Sequence, residues 1–117
     1  MNGRNLAKSF GYAWKGIVWS FKHNQNMRIH VALGSLVILA GIFLRLSEYE
    51  TAIIVVTILF VISSEMINTS IEEMTNLIVS EHRKEAEIAK DVAAGMVLVA
   101  AIGSVFVGLV IFLPHLI

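Results

Sequence analysis

The 117-residue chain contains no cysteine and a single proline, Pro114. The absence of cysteine excludes disulfide bonds, thiolate metal sites and cysteine nucleophiles. The proline is expected to lie past the last helix, where it would interrupt no helical hydrogen bond. No internal repeat, low-complexity tract or linker is visible, so the sequence predicts one domain over residues 1–117.

Charge is also scarce. Charged residues make up 15% of the chain and hydrophobic residues 56%, and the mean hydropathy is +0.75. A water-soluble domain of this size exposes much of its surface, and this composition offers too little polar surface to cover it. We therefore expect an integral membrane protein whose partners include the lipid bilayer and no nucleic acid.

The sequence contains three apolar runs, the last of them without any charge: 31–44, 51–64 and 92–113. Only the last run has the roughly 20 residues that cross a bilayer unaided. The first is long enough if Arg28 and Arg45 extend toward the two membrane surfaces, and the second only if its helix continues through Glu65. We therefore predict three transmembrane helices, at 29–47, 51–79 and 86–113.

The segment before the first span has no acidic residue and carries lysines at every seventh position, Lys8, Lys15 and Lys22. Apolar residues recur on another face at helical spacing, which predicts an amphipathic helix over 4–23 in the headgroup region of the membrane. The pattern leaves open whether this helix only anchors the chain or also forms a wall of a lipid-binding site. Basic residues are concentrated before the first span and between the second and third, so we expect a cytoplasmic N-terminus.

Five polar side chains fall on one face of the second predicted span, and we call them the polar stripe: Glu65, Asn68, Thr69, Glu72 and Asn76. Ionisable groups at membrane depth are costly and indicate a functional site. The stripe could hold a divalent cation and deprotonate a hydroxyl, with Glu65 as the general base. Alternatively, these groups only join helices by hydrogen bonds, but buried acids do this poorly. We therefore favour a functional site, whose function the pattern does not specify.

Three helices cannot enclose so many polar groups alone, because polar side chains in a bilayer must face protein or water. We therefore expect a homo-oligomer. Small residues that allow close approach of membrane helices are frequent in the first and third spans, as at Gly34, Gly41, Gly95, Gly103 and Gly108.

The polar stripe lies in the motif EMINTSIE at 65–72, which is followed by AKDVAAG at 89–95. Together with WKG at 14–16, NMRIH at 26–30 and the three-helix layout, these motifs resemble the small prokaryotic integral-membrane lipid kinases, the diacylglycerol kinase and undecaprenol kinase family. The resemblance covers nearly the whole chain. The wording NTSIE, the Ile29-His30 pair and the ending IFLP are most similar to the undecaprenol kinases of Gram-positive bacteria.

The resemblance implies an all-α membrane homotrimer, with sites shared between protomers, in the bacterial plasma membrane. It implies transfer of the γ-phosphate of MgATP to a membrane lipid alcohol, undecaprenol or diacylglycerol, at the cytoplasmic face. Glu65 would be the catalytic base for the lipid hydroxyl. Asn68, Trp14 and Lys15 would bind the lipid substrate together with Glu65.

On the nucleotide side, the resemblance implies that Glu72 binds Mg²⁺, and that Lys90 and Asp91 bind ATP together with Asn68. Lys90 would contact the phosphates. The chain has no GxxxxGK[ST] loop, so ATP binding rests on the resemblance alone. Phosphoryl transfer requires mainly positioning and charge neutralisation, which acids, a metal and one lysine can supply.

Two positions depart from the family pattern. Asn24 stands where the family usually has a metal-binding glutamate, and Asn76 stands where it usually has an aspartate. Glu73, Glu85 and Glu87 are neighbouring carboxylates that could compensate, and the sequence does not choose among them. The alternative function is a weakened or inactive paralogue that binds lipid or nucleotide, or that conducts ions along the stripe.

The four histidines show no paired spacing typical of metal ligands: His23, His30, His82 and His115. We expect them to serve as interfacial or hydrogen-bonding residues. His30 is also a candidate for lining the site, because it lies at the end of the first span.

Overall fold

The computed structural model describes residues 3–78 and 83–117, and this part of the chain is entirely helical apart from short connections. The four helices are α1 (Gly3–His23), α2 (Gln25–Phe43), α3 (Glu48–Ile78) and α4 (Lys84–Leu116). The predicted all-α fold is confirmed. Helices α2, α3 and α4 are each long and apolar enough to cross a membrane.

Helix α2 begins and ends earlier than the predicted 29–47. It begins early because Asn24 caps it, accepting the backbone N–H of Met27 on its side-chain oxygen at 3.2 Å. It ends at Phe43 because Arg45 adopts a φ of 57°, in the left-handed region that terminates helices. The bounds of α2 are therefore set by the Asn24 cap and by the positive φ of Arg45, and not by the length of the apolar run.

A reciprocal pair of capping bonds starts α3. The hydroxyl of Ser47 accepts the backbone N–H of Glu50 at 3.2 Å, and the Glu50 carboxylate accepts the backbone N–H of Ser47 at 2.9 Å. The same carboxylate lies 2.9 Å from Nε2 of His115 near the end of α4. This contact joins the two longest helices at the end opposite the polar stripe.

The expectation that Pro114 lies past the last helix is wrong. Pro114 is inside α4, which continues to Leu116. A proline removes one backbone donor, and so close to the C-terminus of a long helix the loss of one hydrogen bond does not end it.

Helix α3 is central, since α1, α2 and α4 all pack against it. The approach of α2 is close at Gly34, where an added Cβ would lie 2.8 Å from Cγ2 of Ile58. Near the start of α2, Arg28 donates from Nη1 to the carbonyls of Phe21 and Lys22 at 2.8 and 2.9 Å. This arginine therefore fixes the end of α1 to the start of α2, beside the polar stripe of α3.

Candidate functional site

Glu65 is the most enclosed charged residue of the described chain, with only 1% of its surface exposed. Its Oε2 accepts a hydrogen bond from Nδ2 of Asn24 at 3.0 Å. Its Oε1 lies 3.4 Å from Nε2 of His30 and has no hydrogen-bond partner. One carboxylate oxygen is therefore held in place, while the other is free to accept a proton.

Asn24 lies between α1 and α2, and its side chain bonds to two helices, α2 and α3. Its Nδ2 donates to Glu65 and also to Oγ1 of Thr69, at 2.6 Å, and its Oδ1 caps α2 at Met27. The Thr69 hydroxyl in turn donates to the Glu65 carbonyl at 2.9 Å. These bonds fix the orientation of the Glu65 carboxylate. They use both amide protons of Asn24 and one of the two acceptor positions of its oxygen, so the structure gives this residue a positioning role.

Asn68 and Glu72 form the next turn of the polar stripe. Asn68 donates from Nδ2 to Oε1 of Glu72 at 3.3 Å, and its own Oδ1 is buried without a hydrogen-bond partner. Glu72 is seven residues from Glu65, about 10 Å along the helix axis. Its bond to Asn68 draws its carboxylate back toward Glu65.

Lys90 reaches the stripe from α4. Its Nζ donates to Oδ1 of Asn76 at 2.6 Å. Because the partner is a neutral amide, the positive charge of Lys90 is not cancelled by this contact. Asp91 is exposed beside it on α4. Along the axis of α3, Glu65 therefore comes first and Glu72 second. Lys90, which contacts Asn76 from α4, comes third.

Two depressions lie near this site, and they share no lining residue. The polar cleft has a volume of about 400 Å³ and is lined by residues from α1, the start of α2 and the stripe: Trp19, His23, Asn24, Gln25, Asn26, Thr69, Glu72 and Glu73. The apolar groove has a volume of about 360 Å³ and lies between α2, α3 and α4, where its walls include Leu33, Ile58, Val61, Val105 and Phe112. His30 also lines the apolar groove, and its Nε2 lies 3.4 Å from Oε1 of Glu65, which is buried behind it and is not part of the wall.

The structure brings together most of the site residues that the sequence predicts, with two exceptions. Trp14 is 65% exposed on α1, and Nζ of Lys15 lies 5.8 Å from the centre of the Tyr12 ring. In the described part of the chain neither residue contacts the polar stripe. Their role as lipid-binding residues stays a prediction. His82 lies outside the described residues.

Sequence reasoning did not find two features of the site. It proposed His30 only as a candidate lining residue, without its proximity to Glu65. It also did not predict that Asn24 would bind Glu65 directly. Both contacts join residues far apart in the chain, and the only signal in the sequence is the polar character of the segment between α1 and α2.

The described residues contain no group of three or more histidine or acidic side chains that could hold a metal ion by themselves. Mg²⁺ is usually bound through one or two carboxylates, with waters and substrate phosphates completing its octahedral shell. Glu72 and Glu73 line the polar cleft and are carboxylates of the kind that this requires. The site is therefore chemically suited to a magnesium–phosphate group rather than to a bare metal.

Comparison with known proteins identifies the family of the chain. The family model described as "Prokaryotic diacylglycerol kinase" matches residues 11–112. A diacylglycerol kinase of Synechocystis sp. is 42% identical over 113 residues, which are 96% of this chain and 65% of that protein. The chain thus spans about two thirds of the length of that relative.

Two further relatives match over most of both chains. An undecaprenol kinase of Bacillus subtilis is 40% identical over 109 residues, covering 93% of this chain and 89% of the relative. A diacylglycerol kinase of Escherichia coli is 24% identical over 110 residues, covering 94% and 90%. The chain therefore belongs to the prokaryotic diacylglycerol kinase family, a family of integral-membrane lipid kinases.

Proposed function

We propose that this protein transfers the γ-phosphate of MgATP to the hydroxyl of a membrane lipid alcohol, with undecaprenol as the acceptor and diacylglycerol as the alternative. The main support for the proposal is the burial and hydrogen bonding of Glu65. A buried carboxylate with one oxygen held by Asn24 and the other without a partner is arranged to accept a proton.

In the proposed reaction, the lipid hydroxyl gives its proton to Oε1 of Glu65. The lipid oxygen then forms a bond to the γ-phosphorus while the bond from that phosphorus to the β–γ bridging oxygen breaks, and ADP leaves. Asn24 keeps the carboxylate oriented through its bond to Oε2. Because the protein supplies mainly position and charge in phosphoryl transfer, no covalent enzyme intermediate is required.

The apolar groove supports a lipid as the acceptor. Its walls are mostly apolar, and they include His30, whose Nε2 lies 3.4 Å from Oε1 of Glu65. An apolar chain in this groove could place a terminal hydroxyl at His30, and a shift of this side chain would then bring the hydroxyl to the base. A soluble alcohol would gain no such burial of apolar surface. The choice of undecaprenol rests on the motif wording described above.

On the nucleotide side, we propose that Lys90 and Asp91 bind ATP and that Asn68 positions its terminal phosphate. Mg²⁺ would enter with the nucleotide, held by Glu72, and would neutralise charge on the phosphates. The order of groups along α3 supports this orientation, because the lysine lies at the far end of the stripe from Glu65. The transferred phosphate would then lie between the base and the lysine.

The assembly and the orientation of the chain are part of the same proposal. We propose a homotrimer with sites shared between protomers, an α1 that lies on the membrane surface, and a cytoplasmic N-terminus. Large apolar side chains are exposed along α2, α3 and α4, which fits helices that face lipid or one another. The basic connection before α4 fits a cytoplasmic site, where ATP is available.

The test is phosphate transfer from labelled MgATP by purified protein in mixed micelles that contain undecaprenol and diacylglycerol in equal amounts. We expect labelled undecaprenyl phosphate in clear excess, and loss of the label with Glu65→Gln. A preference for diacylglycerol would overturn the choice of acceptor. Absence of transfer to either lipid by a folded oligomer would overturn the kinase proposal.

The state of Asn24 also favours a second candidate, a non-catalytic paralogue that binds lipid or nucleotide. Its amide makes three hydrogen bonds to protein groups at a position where the family pattern has a carboxylate. This candidate predicts ATP binding without transfer. The double variant Asn24→Glu/Asn76→Asp would then gain activity that the unaltered protein lacks.

A further inference from the structure

We infer that His30 takes the proton from the lipid hydroxyl and passes it to Glu65, so that the imidazole, and not the carboxylate, contacts the substrate. This inference rests on the proposed function, because it assigns the path of the proton in the same transfer reaction. It makes His30 a catalytic residue, a role that its spacing from the other histidines in the sequence does not indicate.

The two carboxylate oxygens of Glu65 lie beside side chains that reach different depressions. Oε2 accepts a hydrogen bond from Asn24, which lines the polar cleft. Oε1 lies 3.4 Å from Nε2 of His30, which lines the apolar groove. Glu65 itself lines neither depression and is only 1% exposed. A hydroxyl that enters the apolar groove therefore meets His30 before it can meet the carboxylate.

His30 is the only residue with a titratable side chain among the described residues that line the apolar groove. Thr57 and Ser104 also line it, but their hydroxyls donate to carbonyls of their own helices, at 2.7 Å each. A hydroxyl is itself too weak a base to deprotonate an alcohol near neutral pH. Histidine is the side chain that most often serves as a general base, because imidazole both takes up and releases a proton near neutral pH.

The contact with Glu65 orients the imidazole ring of His30 for this role. An ionised carboxylate can only accept hydrogen bonds, so the ring nitrogen that faces it, Nε2, carries the proton of the neutral imidazole. Nδ1 is then left with its lone pair, and it makes no hydrogen bond to the described part of the chain. The side chain is 21% exposed, so the ring is open to a ligand in the groove.

The distance between His30 and Glu65 fits a pair that tightens during the reaction. At 3.4 Å the contact is long, and Oε1 has no hydrogen-bond partner. Catalytic hydrogen bonds are often long without substrate and shorten in the complex. Once Nδ1 takes up a proton the ring is positively charged, and a buried carboxylate beside it stabilises that charge. Histidines and acids that face one another within membrane spans are common components of proton relays.

In the inferred reaction, the O–H bond of the lipid breaks and its proton forms a bond with the lone pair of Nδ1 of His30. The lipid oxygen forms a bond to the γ-phosphorus while the bond from that phosphorus to the β–γ bridging oxygen breaks, and ADP leaves. Nε2 gives its proton to Oε1 of Glu65. After the product leaves, Glu65 returns a proton to Nε2 and Nδ1 releases its proton to water, which restores the starting state.

The first measurement is the initial rate of undecaprenol phosphorylation by the purified full chain in mixed micelles, at varied lipid and MgATP. His30→Gln keeps an N–H that can face Glu65 but cannot take up a proton. We expect kcat to fall by about 10²–10⁴-fold, the usual contribution of a general base, with little change in KM for either substrate. His115→Gln is the matched control, because it makes the same exchange beside Glu50 at the end opposite the polar stripe, and its kcat should stay unchanged.

Added imidazole separates a chemical role of the His30 ring from a structural one. His30→Ala leaves space for a free imidazole molecule, and we expect imidazole to restore part of its kcat in a saturable manner. Neither the unaltered chain nor Glu65→Gln should respond to imidazole. Unfolding in sodium dodecyl sulfate shows whether His30→Ala is folded.

A double variant tests the same relay without removing the bulk of the side chain. Residues that act as a unit have effects on kcat that are not additive. We therefore expect His30→Gln/Glu65→Gln to lose no more kcat than Glu65→Gln alone. Fully additive losses would overturn the relay, because the two side chains would then act independently.

Two further outcomes would overturn the inference. Nearly full or raised kcat in a folded His30→Gln or His30→Ala protein would show that the ring only separates the hydroxyl from Glu65. A fall in kcat that imidazole does not reverse in folded His30→Ala would show a structural role. In both cases, phosphorylation that depends on Glu65 leaves the proposed function intact. An unaltered chain that phosphorylates no lipid would instead overturn the proposed function, and the relay with it.

Discussion

The side chain of Glu65 combines almost complete burial with one oxygen that has no hydrogen-bond partner. Glu65→Gln keeps the size of the side chain and an oxygen that can accept the Asn24 N–H, so we expect the helices to pack unchanged. The amide cannot accept the lipid proton. Because general-base catalysis contributes about 10²–10⁴-fold, kcat for lipid phosphorylation should fall by about that factor.

Initial rates in mixed micelles measure this effect, with Glu48→Gln as the matched control. Glu48 lies in the first turn of α3, far along the helix from the site, and its substitution should leave kcat unchanged. A Glu65→Gln protein with nearly full kcat would remove Glu65 from the role of base.

Lys90 is held by an uncharged partner, Asn76, so its charge is available to a phosphate. Lys90→Met removes that charge while keeping most of the aliphatic stem. We expect kcat/KM for MgATP to fall by about 10²–10³-fold, the usual cost of losing one preorganised donor to a charged group. The KM for the lipid should stay near its original value.

The control for this substitution is Lys84→Met, which removes an exposed lysine from the first turn of α4. Kinetics at varied MgATP separate the two variants. An equal, small effect of both would indicate that only the general positive charge near the nucleotide matters.

The residues of the polar stripe could be predicted from the sequence because they share one helix, where spacing alone fixes which side chains lie on the same face. Their partners could not. Asn24 and His30 reach Glu65 from residues more than 30 positions away in the sequence, and such contacts depend on how α1 and α2 pack on α3. For the same reason, the sequence pattern does not predict that Asn24 donates a hydrogen bond to Glu65.

Helices α2 and α3 approach each other through Gly34. An added Cβ there would lie 2.8 Å from Cγ2 of Ile58. This is too close for two carbon atoms, so the Ile58 side chain or the helices would have to shift. We expect Gly34→Ala to lower the free energy of unfolding by about 1–3 kcal/mol, the range for overpacked cores. Unfolding in detergent micelles with increasing sodium dodecyl sulfate measures this quantity.

Two further variants identify the cause. In an Ile58→Ala background the methyl group that obstructs the new Cβ is gone, so Gly34→Ala should cost less there than in the unaltered chain. Gly11→Ala, where an added Cβ meets nothing within 4 Å, should leave stability unchanged or slightly raise it. Equal costs of Gly34→Ala in both backgrounds would show that Ile58 is not the obstruction.

The elements themselves follow from the sequence more closely than their bounds do. Long apolar runs predict helices α2, α3 and α4 because only a helix satisfies its own backbone within a bilayer. The bounds depend on single groups: the Asn24 cap, the positive φ of Arg45, and the reciprocal bonds of Ser47 and Glu50. The apolar pattern contains no information about these groups. It also led to the wrong prediction that Pro114 lies past the last helix, whereas Pro114 is inside α4.

One protomer leaves most of its large apolar side chains exposed, and part of α4 is an open surface of small residues. At Gly95, Gly103 and Gly108 an added Cβ would meet nothing within 4 Å in the protomer. Such surfaces allow membrane helices to approach closely. Together with the exposed Glu72 carboxylate of the stripe, they favour the proposed homotrimer over a single protomer.

The trimer predicts a specific effect of bulk on α4. Gly103→Leu adds a large side chain at a position where a Cβ meets no atom of its own protomer within 4 Å, so folding should be retained, while helices of neighbouring protomers can no longer approach. We expect the unaltered chain to give three cross-linked protomers in micelles, and Gly103→Leu to dissociate already at about tenfold higher protein concentration. Ile102→Leu, an exposed neighbour of nearly constant volume, is the control. A trimer unaffected by Gly103→Leu would place Gly103 against lipid, and a single protomer from the unaltered chain would overturn the trimer.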